Sequence, residues 1–419
     1  MIILFRQNRG NRGASKAYVL FVLGGICLIC LGFVDYLAAH PELFAKHYEI
    51  TAVGVQNQAS SGDPTFVAAN VSTTPSTIPL DIFAYNEKLI ELANNGTPTS
   101  TVFATSVTSS AAAIASPELP GASASTTPMA ASTTSSSSTP KMPRRKLWPV
   151  KAAYPNAGAL LPFNRIVAYY GNFYSTQMGV LGEYPPNQML AMLASTTAEW
   201  AAADPTTPVI PALDYIAVTA QGSPGADGKY RARMPASQIE EAISLANQAH
   251  GLVFLDIQVG LSNLQTEIPL LSEYLKLPQV ELSVDPEFAV QTSGMPPGTV
   301  IGTLDASDIN FAANYLANIV RGNNLPPKIL VVHRFTEDMV TNYKAITPLP
   351  EVEIVMDMDG WGEPAKKFTT YQDFIADEPV QFTGFKLFYK ADLRPPSTAM
   401  LTPAQTLKLS PQPSYIQYQ

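Results

Sequence analysis

SQIEEAISLANQAHGLVFLDIQVGLSNLQTEIPLLSEYLKLPQVELSVDPEF, residues Ser237–Phe288, contains one pattern twice. The stretch Ser237–Ala249 has apolar residues at helical spacing and leads into the branched, apolar run Leu252–Gln258. Leu264–Leu275 repeats the first element and Val280–Val284 the second. Helices alternating with short apolar strands are the signature of βα units and a parallel sheet.

Working outward, further strand-like runs occur at Ile166–Tyr170, Val209–Ile216, Thr299–Leu304, Ile329–His333, Val352–Met358 and Gln381–Phe388, which makes eight. Helices fit at Asn187–Ala202, Ser307–Ile319, Thr336–Tyr343 and Thr369–Ile375, while the link after the fourth strand is short and irregular. Eight parallel strands in about 250 residues predict a closed (β/α)8 TIM-type barrel of the α/β class. The alternative is an open doubly wound sheet. No Gly-rich strand-to-helix loop supports a nucleotide fold, and Gly222–Gly228 lacks the Lys-Ser/Thr of a phosphate loop, so no cofactor is implied. Gly222–Gly228 reads instead as a mobile loop over the barrel mouth.

In such a barrel the loops after the strands build the active face. The strand ends are polar here: Asp256 and Gln258 on the third, Asp285 and Glu287 after the fourth, His333 on the sixth, Asp357, Asp359 and Trp361 at the seventh, Lys386 and Tyr389 at the eighth. Any one of them alone reads as a solvated strand end or a structural hydrogen bond; five strands converging on one rim point to a site. Asp285 and Glu287, two apart, share a strand face about 7 Å from one another. They divide general-acid and supporting roles, and Asp256 and Asp357 on neighbouring parts of the rim supply a second carboxylate. Tyr169, Tyr170, Tyr215, Trp361 and Tyr389 offer aromatic faces for sugar rings, or serve as barrel lids. With Gln258, His333, Asp359 and Lys386, all of these except Tyr169 form the candidate substrate-binding set. A metal-dependent alternative would use His333 with Asp256, Asp285 or Asp357, but His333 is the single rim histidine, whereas zinc sites commonly use two or three. No metal is therefore assigned.

From Leu160 to Phe388 the chain resembles the glycoside-hydrolase superfamily of (β/α)8 barrels. Asp285 and Glu287 match the last two acids of the chitinase-type signature D-x-x-D-x-D-x-E, whereas Val280 and Ser283 stand in the first two acid positions. The resemblance implies a fold and a style of site, carboxylates flanking a glycosidic bond, rather than a defined activity.

The rest of the chain bears on where this domain works. Ala17–Val34 is an uncharged apolar run of 18 residues. At about 1.5 Å per residue it is long enough to cross a bilayer. Arg6, Arg9, Arg12 and Lys16 precede it and Asp35 follows, which predicts a cytoplasmic N-terminus and an extracytoplasmic remainder. A cleaved signal peptide is the competing reading. The two cysteines, Cys27 and Cys30, lie inside this run, so the exported part has no disulfide. Leu80–Ala93 has partly helical spacing and predicts a short membrane-proximal helix, either of no special role or docking on the folded domain or a partner. Thr97–Thr139 is rich in Ser, Thr, Ala and Pro, with too little apolar surface to offset chain entropy. The expected division is a basic tail and anchor (1–36), a membrane-proximal segment (37–96), a disordered linker (97–159) and the barrel (160–419). A net charge of −8, from 26 basic and 34 acidic residues, argues against a nucleic-acid partner. The expected partners are a polysaccharide or cell-wall glycan and, through the N-terminal helix, a membrane. The first functional reading is a surface-displayed glycosidase acting on cell-wall or environmental polysaccharide, with Glu287 as proton donor and Asp285, Asp256 or Asp357 as nucleophile, base or stabiliser. A barrel that binds glycan without cleaving it is the second, and the metal-dependent hydrolase is the third.

Overall fold

Strands in a closed parallel barrel are buried on both faces, which is why they read as near-continuous apolar runs. The computed structural model describes residues 79–94 and 147–419. The proposed anchor Ala17–Val34 with its two cysteines, the segment up to residue 78 and most of the linker lie outside the described residues. Among the described residues no helix is long and apolar enough to cross a membrane.

Eight strands form the barrel: β1 Arg165–Gly171, β2 Val209–Ala220, β3 Leu252–Ile257, β4 Val280–Val284, β5 Lys328–Arg334, β6 Val352–Met358, β7 Phe382–Leu387 and β8 Tyr415–Tyr418. Each pairs in parallel with the next, and β8 pairs with β1 to close the ring. The longer helices of the outer layer are α2 Pro186–Ala203, α3 Ala236–Gln248, α4 Ala306–Asn323 and α5 Pro364–Tyr371. They follow α1, Ile82–Leu92, which precedes the barrel in the chain.

Two strand expectations change places. Thr299–Leu304 is not a barrel strand: only Leu304–Asp305 is extended there, and it pairs with Val340–Thr341 outside the ring. Pro296, Pro297 and Gly298 open this segment, and Pro has no ladder donor. The segment instead folds beneath the exit of β4, where Gly302 N donates to Glu287 O at 2.6 Å and Thr303 N to Ala289 O at 2.9 Å. A Cβ at Gly302 would lie 2.5 Å from Pro286 O, so only glycine permits this approach. The eighth place in the ring belongs to Tyr415–Tyr418, whose sequence YIQY is too short and polar to announce a core strand.

Two helix expectations also give way. Leu264–Leu275 breaks into short helical turns at Ile268–Leu271, where Pro269 removes a donor. Thr336–Tyr343 forms a 3-10 turn and the short strand Val340–Thr341, and Asn342 takes a left-handed backbone at φ 56°. The Gly222–Gly228 loop leads into an antiparallel arm, Arg231–Arg233, paired with the end of β2. Arg231 anchors that arm to Asp227 and Glu267, each at 2.8 Å.

Helix α1 packs on the N-terminal end of the barrel rather than standing as an unattached segment. Tyr85 is buried edge-on to Tyr154 and Phe163, with ring centroids 5.8 and 6.1 Å away. Leu92 O accepts from Gln412 N at 2.6 Å and Asn94 Nδ2 donates to Leu409 O at 3.0 Å, which ties the helix to the approach to β8.

Candidate active site inside the barrel mouth

Alternation along each strand sends every second side chain into the ring. The middle of the interior is apolar, with Ala168, Ala212, Phe254, Val331 and Val355 packed together. Two residues further along their strands, the inward positions become Tyr170, Asp214, Asp256, His333 and Asp357, all buried. The C-terminal half of the barrel is therefore filled by polar groups that must satisfy one another.

They do so in two groups. Asp214 accepts from Ser283 Oγ at 2.9 Å, Tyr415 OH at 2.8 Å and Gln417 Nε2 at 2.7 Å, tying β2, β4 and β8 together across the interior. On β4 the position facing this carboxylate is Ser283, and the acid comes from β2. In the second group Tyr170 OH donates to Asp256 at 3.1 Å, while Gln258 Nε2 donates to Tyr170 OH at 3.1 Å and to Asp285 at 3.3 Å. His333 Nδ1 lies 3.2 Å from Asp357 and 3.7 Å from Asp359, and Lys386 Nζ sits 3.0 Å from Asp359 and 3.8 Å above the centre of the Tyr170 ring. Gly384 makes room for Asp357: a Cβ there would lie 2.5 Å from Asp357 Oδ1.

Burial pushes Asp256 and Asp357 upward against the pull of His333. Burial alone would depress His333, but the hydrogen bond to Asp357 and the carboxylates of Asp359 and Asp256 outweigh it and raise the imidazole to about 10. Lys386 behaves likewise: burial opposes its charge, and Asp359, Asp285 and Asp357 restore it. Nearer the surface, burial lifts Asp285 to about 6. Glu287, half-buried at the mouth, is lifted to about 8 by burial and by the charges of Asp285 and Asp359. Asp285 accepts from Glu287 N at 3.1 Å, which fixes the turn joining the two acids.

The interior is not fully satisfied. Asp256 Oδ1, Asp357 Oδ1, His333 Nε2 and Gln417 Oε1 are buried without a hydrogen-bond partner, and His333 Nε2 faces Asp256 Oδ1 across 3.9 Å.

Of the residues expected at the site, Tyr170, Asp256, Gln258, Asp285, His333, Asp357, Asp359 and Lys386 come together here, with Glu287 at the opening. Trp361 lies half-buried on the loop after β6. Tyr215 and Tyr389 do not join them. Tyr215 is the neighbour of inward-facing Asp214, so it points to the helix layer and stacks on Phe173 at 4.8 Å. Tyr389 lies outside the wall with Tyr169, OH to OH at 3.1 Å, and stacks on Tyr418. Asp214, Tyr415 and Gln417 belong to this interior without being among the residues expected there. Asp214 had a signal: it is the sole charged residue in the run Val209–Ala220. Among the described residues no three His, Cys, Asp or Glu side chains are arranged to hold a metal ion.

No family model matches this chain, and no curated protein matches it. Among solved structures it is similar to endoglucanase Cel5A of the hyperthermophilic Thermotoga maritima, at 9% identity and a TM-score of 0.33, over 60% of this chain and 88% of that one. It is also similar to a GH5-4 broad-specificity endoglucanase from Clostridium acetobutylicum, with 9% identity, a TM-score of 0.33 and coverage of 62% and 88%. The mannanase BCman from Bacillus subtilis is a third, at 10% identity and a TM-score of 0.32, over 61% and 80%. The closed ring of eight parallel strands shows the fold to be a (β/α)8 barrel.

Proposed function

We propose that the barrel hydrolyses a glycosidic bond in a cell-wall or environmental polysaccharide by carboxylate acid/base chemistry. The supporting observation is the pair of acids at the end of β4, with Asp285 raised to about 6 and Glu287 to about 8. At neutral pH one is ionised and the other keeps its proton, the division of labour that such cleavage needs. Glu287 gives its proton to the glycosidic oxygen as the C–O bond breaks. Water adds to the sugar carbon and passes its proton to Asp285. Asp256 and Asp357, deeper in the ring, position Tyr170 and His333. Lys386 steadies the negative charge of Asp359 and Asp285.

Glu287→Gln is expected to lower release of reducing ends from a cleavable glycan by roughly 10²- to 10⁴-fold. Wild-type rate should fall below about pH 6, as Asp285 takes up a proton, and above about pH 8, as Glu287 loses its own. Undiminished turnover by Glu287→Gln would show the assignment to be wrong.

A second reading, glycan binding without cleavage, draws on Asp256 and Asp357, which are fully buried and already bonded within the protein. Binding with no hydrolysis in matched assays would favour it. For either reading we place the domain outside the cytoplasm on a membrane tether, on the strength of the Ala17–Val34 run and the basic residues before it. Fractionation of cells with and without residues 1–36 tests that placement: the tether is wrong if the full chain is soluble.

A further inference from the structure

We propose that the loop following β6 with the first turn of α5, and the loop following β7, form a cation-lined subsite that selects anionic glycans, carrying carboxylate or phosphate groups, at the barrel mouth. This substrate class rests on the glycan-cleaving reading above. Trp361 stands three residues beyond the end of β6. Lys366 Nζ lies 5.1 Å and Arg394 Cζ 5.3 Å from the centre of its ring. The negative face of an indole attracts such cations and holds them in place.

The neighbouring cations are neutralised by acids. Lys386 pairs with Asp359, Lys367 with Asp392, Lys390 with Glu183 and Arg334 with Glu378. Lys366 and Arg394 are both exposed, and among the described residues neither has a carboxylate within ion-pair distance, Glu363 at the start of α5 included. Two ordered cations left without an acid leave their donors available to an incoming anion.

The loops are built to hold this arrangement. Gly362 has φ +128°, a conformation suited to glycine, and a Cβ there would come 3.3 Å from Lys366 Cδ. Its absence lets the lysine fold back toward Trp361. Gly362 N donates to Asp392 Oδ1 at 2.9 Å, and Lys367 Nζ donates to Asp392 Oδ2 at 2.6 Å and to Lys386 O at 2.7 Å. Phe388 N also donates to Asp392, at 3.0 Å. One buried pair thus joins both loops to the strand that carries Lys386, so the rim is fixed relative to the interior. Cations ordered before binding lose less freedom when an anion arrives.

The test is calorimetric binding to full-length Glu287→Gln protein, so that turnover plays no part. The probes are tetragalacturonate, a glycerol-phosphate oligomer and neutral cellotetraose. At least one anionic probe is expected to bind ten-fold or more tightly than cellotetraose, with an advantage that shrinks as salt is raised. Replacing both cations, Lys366→Gln with Arg394→Gln, should abolish that advantage, and Lys366→Arg should retain it. Preference for the uronate or the phosphate probe identifies the anion. The proposal is overturned if cellotetraose binds as well as both anions, if the double variant keeps the preference, or if none of the three binds. Failure of the cleavage reading shows separately, as wild-type-like turnover by Glu287→Gln.

Discussion

The two ends of the barrel interior both hold buried acids, yet they are held differently. At the N-terminal end Glu353 accepts from the backbone N–H groups of Leu160 and Leu161 at 3.0 and 2.9 Å. Glu281 accepts from Ile329 N at 2.6 Å, and Lys328 nearby gives its ammonium to the carbonyls of Leu277, Pro278 and Val280. At the C-terminal end the acids face His333, Lys386, Tyr170 and Gln258, and several polar atoms there lack a partner. Burial raises carboxyl groups at both ends, Glu281 to about 7 and Glu353 to about 8 below, Glu287 to about 8 above. A raised acid therefore does not by itself mark a site. Backbone donors close a structural plug, whereas acids answered by other titratable side chains, with atoms left over, can take part in chemistry.

This contrast can be broken most severely at His333. His333→Ala removes the cation that Asp357, Asp359 and Asp256 share, leaving buried charge without compensation. The expected loss is about 3–5 kcal/mol, several degrees or more in melting temperature. A melting curve like that of wild type would mean that the upper acids are no more interdependent than the lower ones.

Gly384→Ala probes the same end more gently. Its new Cβ would press on Asp357, at an expected cost of about 1–3 kcal/mol. A shifted pH dependence of the His333 imidazole NMR signal should accompany the loss. Destabilisation without that shift would mean simple overpacking.

The effect at the lower end is a slope with pH and not a fixed loss. Glu281 is raised from its ordinary value to about 7, so the folded state binds the extra proton between about pH 4.5 and 7. In that window stability falls as pH rises, being fully present below the unfolded value and lost through the folded one. Glu281→Gln should flatten the slope by at most about 1.4 kcal/mol per pH unit. An unchanged slope would separate Glu281 from the pH dependence of folding.

Much of the upper end was legible because its acids stand where apolar runs stop. Asp256 and His333 each end an unbroken hydrophobic stretch, Leu252–Leu255 and Ile329–Val332, and Asp357 follows Ile354–Met356; a polar residue in that place requires an explanation. The aromatic residues were not legible in the same way. Tyr170 faces the interior and Tyr169 the helices, and adjacent residues with identical chemistry are told apart only by which strand face becomes the inside. Tyr215 and Tyr389 went to the wrong side of the wall for that reason.

By itself, then, the sequence determined the repeating βα units, the polar strand ends and the apolar N-terminal run, because periodicity and hydrophobicity are local properties carried by neighbouring residues. Tertiary structure decided that Tyr415–Tyr418, rather than Thr299–Leu304, closes the ring, that α1 seals its lower end, and that Asp214 joins three strands. Those choices depend on contacts between residues as far apart as Asp214 and Gln417, where a buried carboxylate must find donors from distant strands once the barrel has closed around it.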